Sequence, residues 1–532
     1  MPGRWARRSL TVVGIVALLA AAAWVDVEHH GPVGRLRERL PGAGARVEDA
    51  RPGEVVTARV GEPGWVAAEN RRPGTTAWRL TQRGPAHAIE GYTGRVSASA
   101  GDAVTLYVST TARWWHLEAY RMGWYGGARG RLLWRSSWVR GWRQAGPSLS
   151  PGTNMVRARW APSLTFRVDD RWPPGAYLLK LVTRGAQRYV PLTVTDPSSR
   201  DPLVVMDAVT TWQAYNDWGG RNLYWGPFME ARTRSRVASF DRPYATGGGA
   251  SDFLHGELPL IGLLERAGLD ATYWTDIDLH QHPGLLRRHR ALLSLGHDEY
   301  WSTAMREGAT RARDHGVNLA FLGANAVFRH IRLRASPLGP DREEVNYKPA
   351  SARADPAWRT NPREVTTDWR EPPLGQPESS LLGELYECNP ARADGVVVEP
   401  GSWLLAGTGL GAGSKLPNLV GPEYDRVTPS FPTPRSVELV LHSPLRCRFH
   451  SSFSDVTYYT VASGAGVVDT GTSSWICQID AVCAAGRNSP TTSAAVRRIT
   501  TNLLRAFAAG PSGRLYPSRS NLGRLDTRPS GL

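Results

Sequence analysis

The sequence predicts a β-sandwich followed by a parallel, flavodoxin-like α/β domain. Three observations carry this reading. Up to about Asp196, short segments alternate apolar and polar residues and are separated by Gly and Pro turns, the pattern of a sandwich. After Pro202 the rhythm changes to strand, loop, helix, which argues a parallel sheet. In that second part the apolar runs LVVM (203–206), ALLSL (291–295) and VNLAFL (317–322) each lead closely into a segment dense in Tyr, Trp, His, Asn or carboxylate. Loops leaving the carboxyl ends of parallel strands converge on one rim, where ligands bind.

The chain has 532 residues, and a prior of ~150 residues per domain suggests two or three. A hydrophobic share of 41% with 21 Trp supplies real cores. The net charge of +16 does not mark a nucleic-acid-binding protein. Arginines run throughout the sequence, the only lysines are Lys180, Lys348 and Lys415, and there is no helix-turn-helix, zinc-finger or RNA-binding signature.

Taken in order, residues 1–25 read as an export segment. Arg4, Arg7 and Arg8 precede an apolar run from Leu10 to Val25, with small residues at 20–23 suited to cleavage. The run is short for a membrane span of about 20 residues, so an uncleaved anchor is the second reading. RRSL (7–10) also resembles a twin-arginine signal. The protein is therefore expected to be secreted, or held at the outer face of the cytoplasmic membrane by this segment alone. Residues 26–50, rich in Arg, Gly and Pro, form a linker.

The sandwich occupies 51–198, with strands in AVTLYVST (103–110), HLEAYRM (116–122), SLTFRVD (163–169) and AYLLKLV (176–182). The α/β domain occupies 199–510. PLIGLLERAGL (259–269) has the spacing of an amphipathic helix stopped by Gly268, ATYW (271–274) is the next strand, and 302–315 is a helix stopped by Gly316. Residues 346–377 are a long irregular insertion. Regular structure resumes in SVELVLH (436–442), VTYYTVA (456–462) and a helix at 494–508, and 511–532 form a mobile tail. All four cysteines, Cys388, Cys447, Cys477 and Cys483, fall in the final third without metal-type spacing. In an exported protein they predict two disulfides, with Cys477–Cys483 and Cys388–Cys447 the preferred pairing.

Four segments carry the chemistry: TWQAYNDWGGRNLY (211–224), SFDRPY (239–244), GHDEYW (296–301) and GANAVF (323–328). GHDEYW sets His297, Asp298 and Glu299 in a row at a strand's carboxyl end, more polar groups than one helix cap requires. Asp298 is the natural cap. Asn325 either caps the next helix or donates its amide to a substrate oxygen. Tyr215 and Tyr244 read equally as packing aromatics or ligands. His280 and His282 suit zinc, but they more simply precede a helix at Pro283. There is no nucleophile elbow, Walker loop, dinucleotide fingerprint or HExxH.

Together with ENRRPGTTAWRLT (from Glu69), LYVST (from Leu106), YRMGWYGG (from Tyr120), VGPEYD (from Val420) and GAGVVDTGTSSW (from Gly464), these segments make the chain resemble the large, or β, subunit family of N,N-dimethylformamidase. The resemblance implies a glutamine-amidotransferase-like α/β domain holding mononuclear Fe(III) on two tyrosines and one glutamate. By motif, Glu299 is the carboxylate, Tyr215 one phenolate and Tyr244 the second, with Tyr224 in reserve. It further implies that His297, Asn325 and Glu423 act on the substrate, a small amide-like molecule cleaved at a C–N bond. Phenolate and carboxylate are hard oxygen donors suited to such a cation. The type enzyme is soluble and works with a small companion subunit, whereas this chain carries an export segment. A homo-oligomer is compatible with the sequence. The alternative is a non-catalytic exported protein that binds a carbohydrate of the cell envelope.

Overall fold

The computed structural model describes residues 58–525. The export segment and linker expected at 1–25 and 26–50 lie outside the described residues. The chain is a mixed protein, β-rich at first and α/β thereafter.

Two sheets form the first part, antiparallel except where Ser97–Ala98 runs parallel to Gln187–Val194. One holds Ile89–Thr93, Ala103–Thr110 and Leu164–Arg167. The other runs in the order Ser97–Ala98, Gln187–Val194, Gly175–Val182, Trp114–Met122, Gly130–Arg135, and Val139–Arg140 also pairs with Trp114–Met122. Because side chains alternate along a strand, Val104, Leu106 and Val108 of the first sheet meet Leu117, Ala119, Leu179 and Leu181 of the second in one core. The opposite face of the second sheet is also covered in part. Tyr120, Met122, Leu178 and Tyr189 pack with Leu203, Val205, Leu260 and Leu264 of the α/β region. Burial on both faces explains why AYLLKLV is nearly all apolar.

The second part is built on a seven-stranded sheet. Its order is Ala271–Thr275, Leu203–Asp207, Ala291–Leu295, Asn318–Leu322, Gly466–Asp469, His450–Thr460, Glu438–Cys447. The first five strands are parallel and the last two antiparallel. Numbered by sequence, the parallel strands stand 2-1-3-4-5, with the chain reversing direction across the sheet between Leu203–Asp207 and Ala291–Leu295. That switch point opens a crevice at the carboxyl ends. Helices Leu258–Arg266 and Pro490–Ala509 cover one face. Helix Thr303–Arg313 covers the other through Met305, Ala309 and Ala312. It is capped by Ser302, whose Oγ accepts from the Met305 N–H at 3.3 Å, so Asp298 is not the cap.

Sequence reasoning missed a smaller sheet, Val237–Ser239, Gly339–Val345, Arg329–Ser336 and Tyr300–Ser302, which leans over the crevice. Residues 346–377 are irregular, with only single-turn pieces at Pro349–Ala354, Ala357–Thr360 and Pro362–Glu364. The expectation of a mobile tail from 511 is corrected as far as 525. Tyr516 stacks on Trp403 at 4.8 Å, Ser518 Oγ accepts from the Thr460 N–H at 2.9 Å, and Asn521 bonds Leu439 in both directions. These bonds tie the segment to the antiparallel strands of the main sheet. Cys388 pairs with Cys447 and Cys477 with Cys483, which fits an oxidising compartment. Among the described residues no helix is long and apolar enough to cross a membrane.

The two parts are locked by a buried ion pair. Arg121, at the end of a sandwich strand, donates from Nη2 and Nη1 to Glu265 Oε1 and Oε2 at 2.6 and 3.0 Å, with both side chains out of solvent. Tyr273 and Asn70 donate to the same carboxylate. Removing one partner of such a pair costs about 3–5 kcal/mol, because the other charge is left buried alone. Glu265→Ala should lower the unfolding free energy by that amount in urea titrations. The double replacement Arg121→Met with Glu265→Leu should recover most of it.

Candidate metal centre

The strand-end loops are pressed so closely together that glycine is required at two of them. Gly296 has φ +59°, and a Cβ there would lie 2.8 Å from the Gly256 carbonyl oxygen; a Cβ on Gly323 would meet the Gly296 oxygen at 1.8 Å. Only residues without a side chain allow this approach. From Gly296 the chain presents His297, Asp298 and Glu299 before re-entering a strand at Tyr300. From Gly323 it turns through Asn325 at φ +62°, and the Asn325 N–H donates to both oxygens of Asp425 at 2.8 and 3.0 Å. No helix follows Asn325, so it is not a cap. Helix Val209–Tyr215, leaving the first parallel strand, ends in Tyr215.

These loops bring two phenols onto one carboxylate. Tyr215 Oη donates to Glu299 Oε2 at 2.8 Å. Tyr224 Oη reaches Glu299 Oε1 and Oε2 at 2.5 and 2.7 Å. The two phenol oxygens are 2.9 Å apart, and their rings stack at 4.5 Å. Glu299 is 0% exposed. Burial raises its pKa, but the hydrogen bond from His297 and the charges of Arg329 and His297 outweigh that and hold it well below the usual carboxylate range. Burial and the Glu299 charge push both phenols well above their ordinary value, so without a cation they keep their protons.

A second group adjoins the first. His297 Nε2 lies 3.1 Å from Glu423 Oε2 and 3.4 Å from Glu299 Oε2. Burial disfavours the imidazolium, yet Glu423 and Glu299 prevail and push its pKa up to about 9. Asn325 Nδ2 donates to Glu423 Oε2 at 3.2 Å, while its Oδ1 is buried without a hydrogen-bond partner among the described residues. Asn389 Nδ2 holds Glu423 Oε1 at 2.9 Å.

Of the residues singled out from sequence, Tyr215, Glu299, His297, Asn325 and Glu423 thus meet, and Tyr244 does not. Its ring stands edge-on to Trp212 at 6.0 Å and lines a small cavity with Tyr92, Leu192 and Arg242 between the sandwich and the sheet. The backbone explains the difference. Asn216 Nδ2 donates to the Pro243 oxygen and Arg188 to the Tyr244 oxygen, which fastens that loop with its ring on the Trp212 side. Asn222 Oδ1 instead accepts from the N–H groups of Tyr224 and Trp225, a turn that folds Tyr224 back onto Tyr215. The phenol beside Glu299 is therefore the reserve, Tyr224. His280 Nδ1 pairs with Ser302 Oγ, and among the described residues no group of three His, Cys, Asp or Glu is placed to hold a metal.

Three charged residues escaped sequence reasoning. Arg329 Nε donates to Glu299 Oε1 at 3.1 Å and its guanidinium pairs with Asp368. Lys348 Nζ lies 3.4 Å from the Tyr224 ring centroid and donates to Tyr300 Oη at 2.8 Å. Burial, with Arg329 nearby, drives the Lys348 pKa well below its usual value. The one available signal was scarcity: Lys348 is one of three lysines among 64 Lys and Arg.

The arrangement passes a chemical test for a hard cation. Two phenols and a carboxylate converge from two segments, all oxygen donors, at separations where one ion can replace the two phenolic protons. The family model described as N,N-dimethylformamidase beta subunit-like, C-terminal, matches residues 116–489, which contain every residue of this cluster. The chain belongs to this family. A search of curated proteins returns no match. In this dimethylformamidase-like chain the cluster sits at the switch point of the sheet, where the carboxyl ends of Leu203–Asp207 and Ala291–Leu295 diverge.

A folded pKa of about 9 for His297 against 6.5 for the free group means that its ion pairs stabilise the fold fully below pH 6.5 and lose that contribution as pH rises through 9. In metal-free protein, denaturant stability should decline across that window. Glu423→Gln should move the His297 titration, followed by NMR of the imidazole, to lower pH.

Proposed function

We propose that this chain is a metal-dependent amidohydrolase that cleaves an amide or related C–N bond in a small molecule, using one Fe(III) ion held by Tyr215, Tyr224 and Glu299. The observation that carries this reading is the fully buried, ionised Glu299 facing two stacked phenols. A purely structural role for GHDEYW leaves that expensive arrangement without a purpose. Family membership supports the reaction class, the strand order supports a glutamine-amidotransferase-like architecture, and the two disulfides support export.

Bound at this donor set, a ferric ion supplies Lewis acidity that polarises a carbonyl or acidifies a water. Binding displaces the phenolic protons, so metal uptake falls with acidity. Arg329, itself neutralised by Asp368, fixes Glu299 Oε1 and the carboxylate plane. His297 holds a proton on Nε2 between Glu299 and Glu423, the position from which one can pass to a leaving amine. Glu423, oriented by Asn389 and Asn325, takes or returns that proton. Asn325 offers its amide to the substrate: Nδ2 to the developing oxyanion, and the unpartnered Oδ1 to an amide N–H.

Metal analysis and a visible spectrum of protein purified without chelators test the centre. We expect stoichiometric iron with a tyrosinate charge-transfer band that is lost in Tyr224→Phe and kept in Tyr244→Phe. Hydrolysis of formamides and other small amides should fall by about 10²–10³-fold in Asn325→Ala with iron retained. Protein that is colourless, iron-free and resistant to reconstitution would refute the proposal.

A further inference from the structure

Away from the candidate metal centre, the sandwich carries an exposed face that the proposed reaction does not use. Trp114 and Arg140 are directly opposed in the ribbon formed by Trp114–Met122 and Val139–Arg140, as are Trp115 and Val139. Alternation then puts Trp114 and His116 on one face with Trp138 and Arg140. The His116 and Trp138 rings confirm this by meeting edge-on at 4.5 Å. Trp142 follows two residues after Arg140. Trp115 points the other way and is buried in the sandwich core. Trp114, Trp138 and Trp142 are 46, 54 and 41% exposed. Three large indoles gathered on one open ribbon are unusual for a surface with nothing to bind.

The charge around them has one sign. From 103 to 168 the sequence holds ten arginines and a single acid, Glu118. That acid is engaged by Arg135, His116 and Tyr120. Arg113 lies over the Trp114 ring at 5.9 Å, and no side-chain hydrogen bond or ion pair engages Arg140 or Arg143 among the described residues. Several of those arginines are held elsewhere, Arg121 by Glu265, Arg129 by Asp480, Arg131 by Glu69 and Arg157 by Glu343, which leaves Arg113, Arg140 and Arg143 beside the indoles to meet an anion.

We infer that this face is a docking surface for an acidic polysaccharide. The apolar C–H faces of sugar rings stack on indoles, and their carboxylate or phosphate substituents pair with Arg113, Arg140 and Arg143 in the fork geometry those groups favour. A neutral glycan would leave the arginines unused, and a simple polyanion would leave the indoles unused. The surface would hold the exported chain against anionic envelope polymer. The inference is independent of the iron centre.

Affinity electrophoresis of the full chain through gels containing polygalacturonate, neutral dextran or no polymer tests it, with co-sedimentation on anionic phospholipid vesicles and a single-stranded oligonucleotide as competitor. We expect retardation by polygalacturonate alone, weakened by salt. Replacing Trp114, Trp138 and Trp142 together by Ala should weaken it by about tenfold or more without lowering the thermal midpoint. Arg140→Glu with Arg143→Glu, which leaves the indoles in place, should do the same and guards against a misfolded tryptophan variant. No retardation, equal retardation of wild type and both variants, or preferential binding to vesicles or oligonucleotide would overturn the proposal.

Discussion

Glu299 keeps a negative charge at the carboxyl rim of the sheet with none of its surface in water. An isolated carboxylate in such a place would cost several kcal/mol and would protonate instead. Its neighbours show that alternative. Asp298, the preceding residue, is pushed by burial up to about 6, and Asp425, beneath Asn325, up to about 8. Glu299 escapes because four groups face it: two phenols, an imidazolium and a guanidinium. Most of the local architecture serves that gathering, from the glycines that let the loops touch to the small sheet that carries Arg329.

The same balance divides the site into two working halves. The Tyr215 and Tyr224 side presents oxygens whose protons are held tightly. The His297 and Glu423 side presents a proton held between two carboxylates. Glu299 belongs to both, so the charge that prepares the first half also sets the acidity of the second. Lys348, its pKa lowered by burial and by Arg329, lies over the Tyr224 ring beside the same group.

How much of this was legible in sequence follows from where each residue sits. Glu299, His297, Asn325 and Tyr215 were found because each follows a buried strand by a few residues, and strand ends have a fixed address in a parallel sheet. The apolar runs gave the sheet, although the short strand Gly466–Asp469 at its centre was not read as one. Tyr224 and Tyr244 could not be separated by motif, since the choice rests on side-chain bonds from Asn222 and Asn216 to the backbone. Arg329, Asp368 and Lys348 enter from a hairpin and an irregular stretch, where local pattern sets no direction. The tail past 511 looked mobile because its few apolar residues are far apart, yet Tyr516 stacks on Trp403 and Ser518 and Asn521 bond the antiparallel strands.

Placing Gly466–Asp469 beside Asn318–Leu322 has a consequence for how the molecule comes into being. The fifth parallel strand is among the last parts of the chain to be made, and it supplies the cover for an edge completed long before. Thr472, just beyond it, donates its N–H to the Gly323 oxygen and so braces the turn that carries Asn325. Contacts of such sequence separation form slowly, and a bare parallel edge invites pairing with another chain. During synthesis the protein therefore passes through a long interval in which Tyr215, Tyr224 and Glu299 are all present but their sheet is open on one side. A ribosome that stops short of residue 466 releases an adhesive half-sheet rather than a slightly weakened fold.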